Sequence, residues 1–208
     1  MDGVLADSWD NTIEELIPTG LHGTTREEVL KSHMHYCTRR PIHAKNGDMK
    51  PELHIRISQA INQMCEGICK TDAPVFDEFV AEIQKIKGTF AVVSANGKKC
   101  VDAYLPKIKL PFTHVLAWED SPSKEEKIEK ICRYWGIPVT EVIYVTDTLA
   151  DVYELETIMP RKHIIGCAWG FCGYAILREE LPKEQILRKP EDIHDVISRM
   201  QTQKSNNK

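Results

Sequence analysis

Between residues 8 and 87, apolar residues recur at the spacing of helix faces, which predicts a segment made of helices and their connecting loops. Ser8 is expected to cap the first helix, and Thr24 with Glu27 forms the capping-box pattern of the second. Pro51 marks the first turn of a long third helix. The inward positions of these helices, and of a fourth over 74–86, are Trp9, Ile13, Leu16 and Ile17; Val29, Leu30 and Met34; Ile57, Ile61, Cys65 and Ile68; and Phe76, Phe79, Val80 and Ile83.

After residue 88 the pattern changes to short apolar runs that alternate with helical segments. These runs suit strands that are buried on both faces. The predicted strands are Thr89–Val93, His114–Trp118, Val142–Val145 and His163–Ala168, and a last helix is expected over Pro190–Met200. Strands that alternate with helices form a parallel sheet. The sequence therefore predicts an α/β fold with a Rossmann-like parallel sheet core.

Composition and charge narrow the classes of partner. With 27 basic and 31 acidic residues, the net charge is −4, so the chain has no basic field for nucleic acid or an anionic membrane. No apolar run approaches the roughly 20 residues of a membrane span. Seven cysteines without a Cys-x-x-Cys pair indicate reduced thiols in a cytoplasmic protein. Cys65 and Cys69 are one helical turn apart, which suits a metal, but packing of small apolar side chains is the favoured interpretation.

Polar residues follow the predicted strands at their carboxyl ends. Ser94 follows the first strand and Asp147 the third, while Asp2 lies in a glycine-containing turn typical of a strand that leads into a helix. In parallel α/β sheets, ligands bind in the crevice outside the carboxyl ends of the strands. We therefore expect these three residues, and the loop before Lys124, to line one crevice.

Asp147 and Asp151 lie four residues apart across the start of a helix, where both carboxylates can face one hard cation. Magnesium prefers oxygen ligands, commonly one or two carboxylates with waters and substrate phosphate. In the structural alternative, Asp147 is only a helix N-cap and Asp151 only interacts favourably with the helix N-terminus. Taken alone, the pair favours this alternative.

Ser94 and Lys124 are candidate phosphate ligands. Ser94 precedes backbone N–H groups that enter a helix, so it can hold a phosphoryl oxygen or merely cap that helix. Lys124 lies in the first turn of a helix capped by Ser123 and Glu126, where its positive charge opposes the helix dipole. A bound anion would compensate that charge; otherwise Lys124 is a solvated lysine of the charge-rich SKEEKIEK segment. We expect Lys124→Ala to lose activity, and to gain stability if the anion site is empty.

The order of these residues resembles the four motifs of the haloacid dehalogenase (HAD) superfamily phosphohydrolases over nearly the whole chain. The opening DGVLADS is similar to the end of the first motif, Asp-x-Asp-Gly-x-Leu-x-Asp-Ser, with Asp2 as its second aspartate. Ser94 stands where the family has Thr or Ser, and Lys124 where it has Lys. The VIYVTDTLADV stretch resembles the acidic fourth motif, and HIIGCAWGF the strand and turn that follow it.

The resemblance also implies a domain organisation. The helical segment 9–87 lies where the family inserts a helical cap, so we expect it to form the cap with its linkers. Residues 1–8 and 88–200 would form the HAD-like core, and residues 201–208 a disordered polar tail. A chain of 208 residues is long enough for a core domain and an insert.

The implied activity is hydrolysis of a small phosphorylated metabolite through an aspartyl phosphate. Asp2 would protonate the leaving oxygen and then activate water. Ser94, Lys124 and the residues Ala95 and Asn96 that follow Ser94 would bind the phosphoryl oxygens.

The implied cofactor is Mg²⁺. Asp147 and the backbone carbonyl of Asp2 would be ligands of this ion. Asp151 would complete the ligand set or, more in keeping with the family pattern, orient Asp147 or a metal-bound water.

The first motif is incomplete in this sequence. Met1 occupies its x position, so the aspartate that attacks phosphorus would precede Met1. We expect the chain as written to be inactive, and the native gene product to carry about six to ten more residues, an apolar strand ending in Asp. A non-catalytic HAD-like binding module and a sugar phosphomutase stay open. A dehalogenase is disfavoured, because dehalogenases of this fold do not use the arrangement given by Asp2 and Asp147.

Arg39, Arg40, His43 and Lys45 cluster in a polar loop over 38–50, where a functional loop is expected. One or more of these side chains is a candidate contact for an anionic or hydroxylated leaving group. The alternative is a solvated loop.

Overall fold

The computed structural model describes the backbone of residues 1–206 and the side chains of residues 1–200. Four helices come first: α1 (Trp9–Leu16), α2 (Arg26–Cys37), α3 (Pro51–Ile68) and α4 (Asp77–Gln84). Strands and helices then alternate: β1 (Phe90–Val93), α5 (Lys98–Tyr104), β2 (Phe112–Leu116), α6 (Lys124–Trp135), β3 (Tyr144–Thr146), α7 (Leu149–Leu155), β4 (Ile164–Cys167), α8 (Gly173–Leu177), β5 (Ile186–Leu187) and α9 (Asp192–Asn206). The predicted α/β fold class is confirmed.

The strands pair in parallel but in two separate ladders. β1 pairs with β2, with Ala91 opposite His114. β3, β4 and β5 form the second ladder, with Val145 opposite Ile165. β4 is buried along its whole length, which explains why it is apolar without alternation.

A cavity of about 540 Å³ lies between β1 and β3, and we call it the inter-sheet slot. Residues 89–93 line it from the side of β1 and residues 142–145 from the side of β3. Within the described residues, β1 pairs only with β2 and β3 only with β4, so each strand has an open edge. Other apolar residues that line the slot include Met1, Val4, Leu5, Phe79, Ile83, Ile86, Ile128, Ile131, Ile193 and Ile197.

Helix caps explain where several helices begin. Thr25 accepts a hydrogen bond from the Glu28 backbone, and the Glu28 side chain accepts one from Thr25. The capping box predicted at Thr24 and Glu27 is therefore wrong by one residue. The cap of α6 is confirmed at Ser123, which accepts from Glu126 N.

Boundaries of other elements differ modestly from the prediction. β2 begins at Phe112 rather than His114, and β3 begins at Tyr144 rather than Val142. The short elements α8 and β5 were not predicted. The last helix continues past the predicted end at Met200, and residues 207–208 of the predicted tail lie outside the described residues.

The apolar core lies on both faces of the strands. Ile165 and Cys167 pack into a cluster with the N-terminal turn, α3, α4 and α9, whereas Ile164 and Ile186 pack with α6, α7 and α8. α4 packs against α9. The domain boundaries expected from the sequence stay a prediction. All seven cysteines are free thiols. Within residues 1–206, no helix combines the length and apolar character needed to cross a bilayer.

Candidate active site

A cavity of about 590 Å³ lies at the carboxyl ends of β1 and β3, between these strands and helices α2 and α3. We call it the strand-end cavity. Every site residue predicted from the sequence lines it: Asp2, Ser94, Ala95, Asn96, Lys124, Asp147 and Asp151. The expected convergence of these side chains is therefore observed, while their chemical roles stay predictions.

Asp2 is held by two neutral donors. Ser8 Oγ donates to Asp2 Oδ1 over 2.6 Å, and Asn96 Nδ2 donates to Asp2 Oδ2 over 2.7 Å. Ser8 is the N-cap residue of α1 as predicted, but its side chain makes no cap bond to the helix. Each carboxylate oxygen keeps a further lone pair, so Asp2 is fixed in orientation and can still exchange a proton with a ligand.

Ser94 is buried at the end of β1 and lines the strand-end cavity. Asn96 N donates to Ser94 Oγ over 3.0 Å, which closes a tight turn after the strand. Helix α5 starts four residues later, at Lys98, with Gly97 at its N-cap, so Ser94 does not cap that helix. The structural alternative for Ser94 is thus excluded, and its hydroxyl is free to donate to a ligand.

Asp147 is buried where the N-terminal turn meets the end of β3. Its Oδ2 accepts from Trp9 Nε1 over 3.0 Å and from Phe171 N over 2.9 Å. Thr148, not Asp147, is the N-cap of α7, so the N-cap alternative for Asp147 is also excluded. Burial raises the pKa of Asp147 to about 6, because desolvation disfavours the charged carboxylate.

Two glycines allow this close packing around Asp147. A Cβ on Gly3 would lie 2.0 Å from Asp147 Oδ2, and the φ of Gly3 is +67°. A Cβ on Gly170 would lie 2.2 Å from Asp147 Cβ. Any larger residue at either position would displace the carboxylate.

Lys124 forms a buried ion pair with Asp151 through its Nζ. The other Asp151 oxygen accepts from Thr146 Oγ1 over 2.8 Å and from Tyr144 OH over 3.1 Å. Burial opposes ionisation of Asp151, but Lys124 and these donors hold its pKa below the usual range. Lys124 N donates to Glu154 Oε1 over 2.7 Å at the start of α6. Asp151 therefore compensates the Lys124 ammonium, and Glu154 binds a backbone N–H group at this helix N-terminus.

The ion pair reverses the sign of the stability change expected for Lys124→Ala, from a gain to a loss. The substitution leaves Asp151 buried without its partner, so we expect the free energy of unfolding to fall by about 3–5 kcal/mol. Urea unfolding measures this change. As a control, Lys98→Ala removes the exposed pair with Asp102 and should cost at most about 1 kcal/mol. A Lys124→Ala protein as stable as its parent would contradict the ion pair.

Lys127 is the other lysine near the site. It is fully buried, and its Nζ donates to Ser94 O over 2.6 Å and to Ala117 O over 3.3 Å. Burial, and then the Lys124 charge, lower the pKa of Lys127 to about 7. Because Lys127 fastens the ends of β1 and β2 and does not line the strand-end cavity, Lys124 is the lysine that a ligand can reach.

The residues fit magnesium at one position. Asp147 Oδ1 accepts no hydrogen bond within the described residues and belongs to a buried carboxylate that lines the cavity. Both oxygens of Asp151 are already bonded, which suits an orienting role better than direct ligation. In residues 1–200 no three His, Cys, Asp or Glu side chains are grouped to hold a metal. Magnesium commonly binds one or two carboxylates and completes its coordination shell with waters and phosphate. Asp147 can therefore be the one carboxylate that this wall of the cavity contributes to a magnesium site.

The basic loop contacts the core. Arg40 pairs with the buried Glu125 over 3.0 Å and donates to Tyr153 O over 2.7 Å. Lys45 Nζ donates to Glu129 Oε1 over 2.8 Å. These two cations are therefore occupied by core acceptors. His43 is buried, lines the strand-end cavity and lies 3.4 Å from Tyr36 OH.

Sequence reasoning missed several residues of this site. Trp9 was predicted only as an inward-facing residue of α1, yet its indole N–H binds Asp147. Tyr144 was included in a predicted strand, with no contact to Asp151 foreseen. His33 and Tyr36 were not singled out, although both line the cavity from α2. The available signal was the grouping of His33, His35 and Tyr36 near the end of α2.

Comparison with known proteins identifies the fold. No protein-family model matches the chain, and no curated protein is significantly similar to it. CbbY from Rhodobacter sphaeroides, solved with phosphate and as a mutant with xylulose-(1,5)bisphosphate, is 13% identical over 92% of both chains, with TM-scores of 0.59 and 0.60. A putative beta-phosphoglucomutase from Bacteroides vulgatus is 18% identical with a TM-score of 0.64, covering 97% of this chain and 86% of that chain. A HAD-superfamily hydrolase of subfamily IA from Geobacter sulfurreducens is 14% identical with a TM-score of 0.55, covering 94% of this chain and 95% of that chain. The chain therefore has the fold of HAD-superfamily hydrolases.

Proposed function

We propose that this protein is a magnesium-dependent phosphomonoester hydrolase that acts on a small phosphorylated metabolite. The observation that carries the proposal is the convergence of Asp2, Ser94, Lys124 and Asp147 on one cavity at the strand ends. It combines a carboxylate fixed for proton transfer, a free hydroxyl, a buried ammonium and a desolvated carboxylate. This combination suits a phosphoryl group, which needs its oxygens neutralised and its leaving oxygen protonated.

Each residue has a separate task in this proposal. The hydroxyl of Ser94 and the ammonium of Lys124 bind the phosphoryl oxygens, and Asp151 holds Lys124 in place. Asp2 donates a proton to the leaving oxygen and later accepts one from the attacking water, with Ser8 and Asn96 fixing its carboxylate. Asp147 would hold Mg²⁺, which supplies positive charge that neutralises the phosphate.

Among the residues that line the strand-end cavity, none that lies next to Asp2 is a candidate for the nucleophile. We propose that an aspartate at the carboxyl end of an additional strand supplies it, with that strand in the inter-sheet slot. Three features support this: the open edges of β1 and β3, the apolar lining of the slot, and Met1, which lines both the slot and the strand-end cavity. A residue joined to the amine of Met1 would lie where the two cavities adjoin.

The test is a panel of phosphomonoesters assayed for released orthophosphate, with magnesium and with EDTA, on a protein that carries the additional strand. Hydrolysis of at least one ester only with magnesium is expected. Activity that persists in EDTA would contradict the role of Asp147, and no hydrolysis of any ester would contradict the proposal.

Phosphoryl transfer is the second candidate, because a putative beta-phosphoglucomutase is among the structural neighbours. A mutase returns the phosphoryl group to sugar, whereas a hydrolase releases it to water. A sugar monophosphate as sole substrate therefore separates them: stoichiometric orthophosphate supports hydrolysis, and an isomeric phosphate without orthophosphate supports transfer. A non-catalytic binding module would bind the ester and do neither.

A further inference from the structure

Among the side chains of residues 1–200, two buried polar groups that line the strand-end cavity have no hydrogen-bond partner. His33 is 7% exposed and Thr12 is 4% exposed. Neither ring nitrogen of His33 has a hydrogen-bond partner within the described residues, and the same is true of Thr12 Oγ1. An unsatisfied buried polar group destabilises the protein, so a ligand that bonds to both residues would recover this cost.

Aromatic groups enclose the His33 ring. Its centroid lies 5.2 Å from Trp9, 5.7 Å from Tyr36 in a stacked arrangement, and 5.1 Å from Phe171. Burial, and then His22, lower the pKa of His33 to about 3, so the imidazole is neutral at physiological pH. A neutral imidazole offers one N–H donor and one nitrogen acceptor.

The charges around His33 determine which chemical groups of a ligand can bind there. His22 packs edge-on against His33, and burial lowers the pKa of His22 as well. Three cationic side chains line the cavity: Lys124 and Arg40 are paired with Asp151 and Glu125, and Arg39 is exposed and has no ion pair within the described residues. The rings that contact His33 carry no charge, so a second phosphate or a carboxylate held between them would lose hydration without compensation.

We propose that Thr12 and His33 bind hydroxyl groups of the leaving group, so that the preferred substrate is the monophosphate of a neutral polyol or sugar. This inference rests on the proposed phosphoryl site. A hydroxyl donates and accepts at once, which matches the Thr12 hydroxyl and both nitrogens of His33. The aromatic walls supply apolar surface for the carbon skeleton. The assigned preference differs from that of a bisphosphate ligand such as the one in the CbbY mutant.

The experiment compares three ligands by calorimetry on the 208-residue protein with magnesium. Erythritol 4-phosphate and n-butyl phosphate share a four-carbon skeleton and differ in hydroxyl groups, and orthophosphate reports the phosphoryl site alone. We expect erythritol phosphate to bind at least about tenfold more tightly than butyl phosphate, because the hydroxyls satisfy buried groups.

Two variants test whether His33 and Thr12 cause the preference for erythritol phosphate. His33→Phe keeps an aromatic ring and Thr12→Val keeps the shape of the side chain, so each should fold and lose most of the tenfold preference, with orthophosphate affinity unchanged. His114→Phe is the matched control, because His114 stacks on Tyr134 outside the cavity and should not affect binding.

The possible failures are distinguishable. If orthophosphate binds but the parent prefers butyl phosphate, or both variants keep the preference for erythritol phosphate, the Thr12–His33 site is overturned. If erythritol phosphate is preferred and orthophosphate does not bind, the site stands and the proposed phosphoryl site fails. If none of the three ligands binds, both are overturned.

Discussion

A variant with an apolar strand that ends in aspartate, joined to Met1, is expected to hydrolyse phosphomonoesters with magnesium, whereas the 208-residue chain is expected to release no phosphate. Met1 lines both the inter-sheet slot and the strand-end cavity, so the added aspartate would enter the cavity beside Asp2. Loss of a nucleophile typically lowers kcat by about 10⁴-fold or more, and we expect a gain of that order. Released orthophosphate measures it.

The matched control is the same strand ending in asparagine. Asparagine has nearly the same shape but cannot attack phosphorus, so this variant should fold like the aspartate variant and stay inactive. Equal activity of the two variants would contradict the aspartyl nucleophile. Two folded and inactive variants would favour the non-catalytic binding module.

The same variants test whether the slot accepts a strand. In the part of the chain that the structure describes, the facing edges of β1 and β3 carry backbone groups without a strand partner, and each such group costs about 1–3 kcal/mol when buried. A strand that pairs with both edges should raise the free energy of unfolding and slow amide exchange in Phe90–Val93 and Tyr144–Thr146. A strand of alternating Lys and Glu should do neither, because the slot is lined by apolar side chains.

The fold could be predicted because the apolar periodicity is local and strong. The runs around Val92 and Ile165 are short and β-rich, and their alternation with helices leaves few topologies. The sheet pairing of β5 could not be predicted, since only Ile186 and Leu187 take part. The capping box was misplaced because consecutive threonines are each followed by a glutamate three residues later, and only the backbone selects one of them.

The convergence of the acidic and basic residues on one cavity could be predicted, because the motif order places them at strand ends and at the start of α6. Their partners could not. Trp9 binds Asp147 across 138 positions of sequence, and Arg40 pairs with Glu125 across 85 positions. Such pairs depend on how the helical segment packs on the core, which no local pattern encodes. The stability gain expected for Lys124→Ala from the helix dipole is replaced by an expected loss for this reason, because the sequence does not show the ion pair with Asp151.

Asp147→Asn is expected to abolish both the magnesium-dependent hydrolysis and the stabilisation of the fold by magnesium. It is also expected to make the protein more stable at neutral pH. The Trp9 and Phe171 donors can bind the asparagine carbonyl as they bind Asp147 Oδ2, so the fold should persist. Removing the charge removes the proposed magnesium ligand, so hydrolysis by the strand-bearing protein should fall below about a tenth of the parent.

The sign of the stability change follows from the raised pKa. Asp147 has a pKa of about 6 in the folded chain against 3.8 for the ordinary value. Below pH 3.8 both states are protonated and the group costs nothing. As pH rises from there to about 6, the unfolded state releases its proton first, so stability is lost, and above about 6 the loss is constant.

The advantage of Asp147→Asn over its parent should therefore grow between pH 4 and 6 and reach about 2–3 kcal/mol at pH 7. Denaturant unfolding at several pH values measures it, with the exposed Asp48→Asn as a control that should change little. Magnesium at pH 7 should stabilise the parent in proportion to the logarithm of its concentration and leave Asp147→Asn unchanged. Equal stabilisation of both proteins by magnesium would place the metal elsewhere, and a variant less stable than its parent at pH 7 would show that the buried Asp147 charge is already compensated.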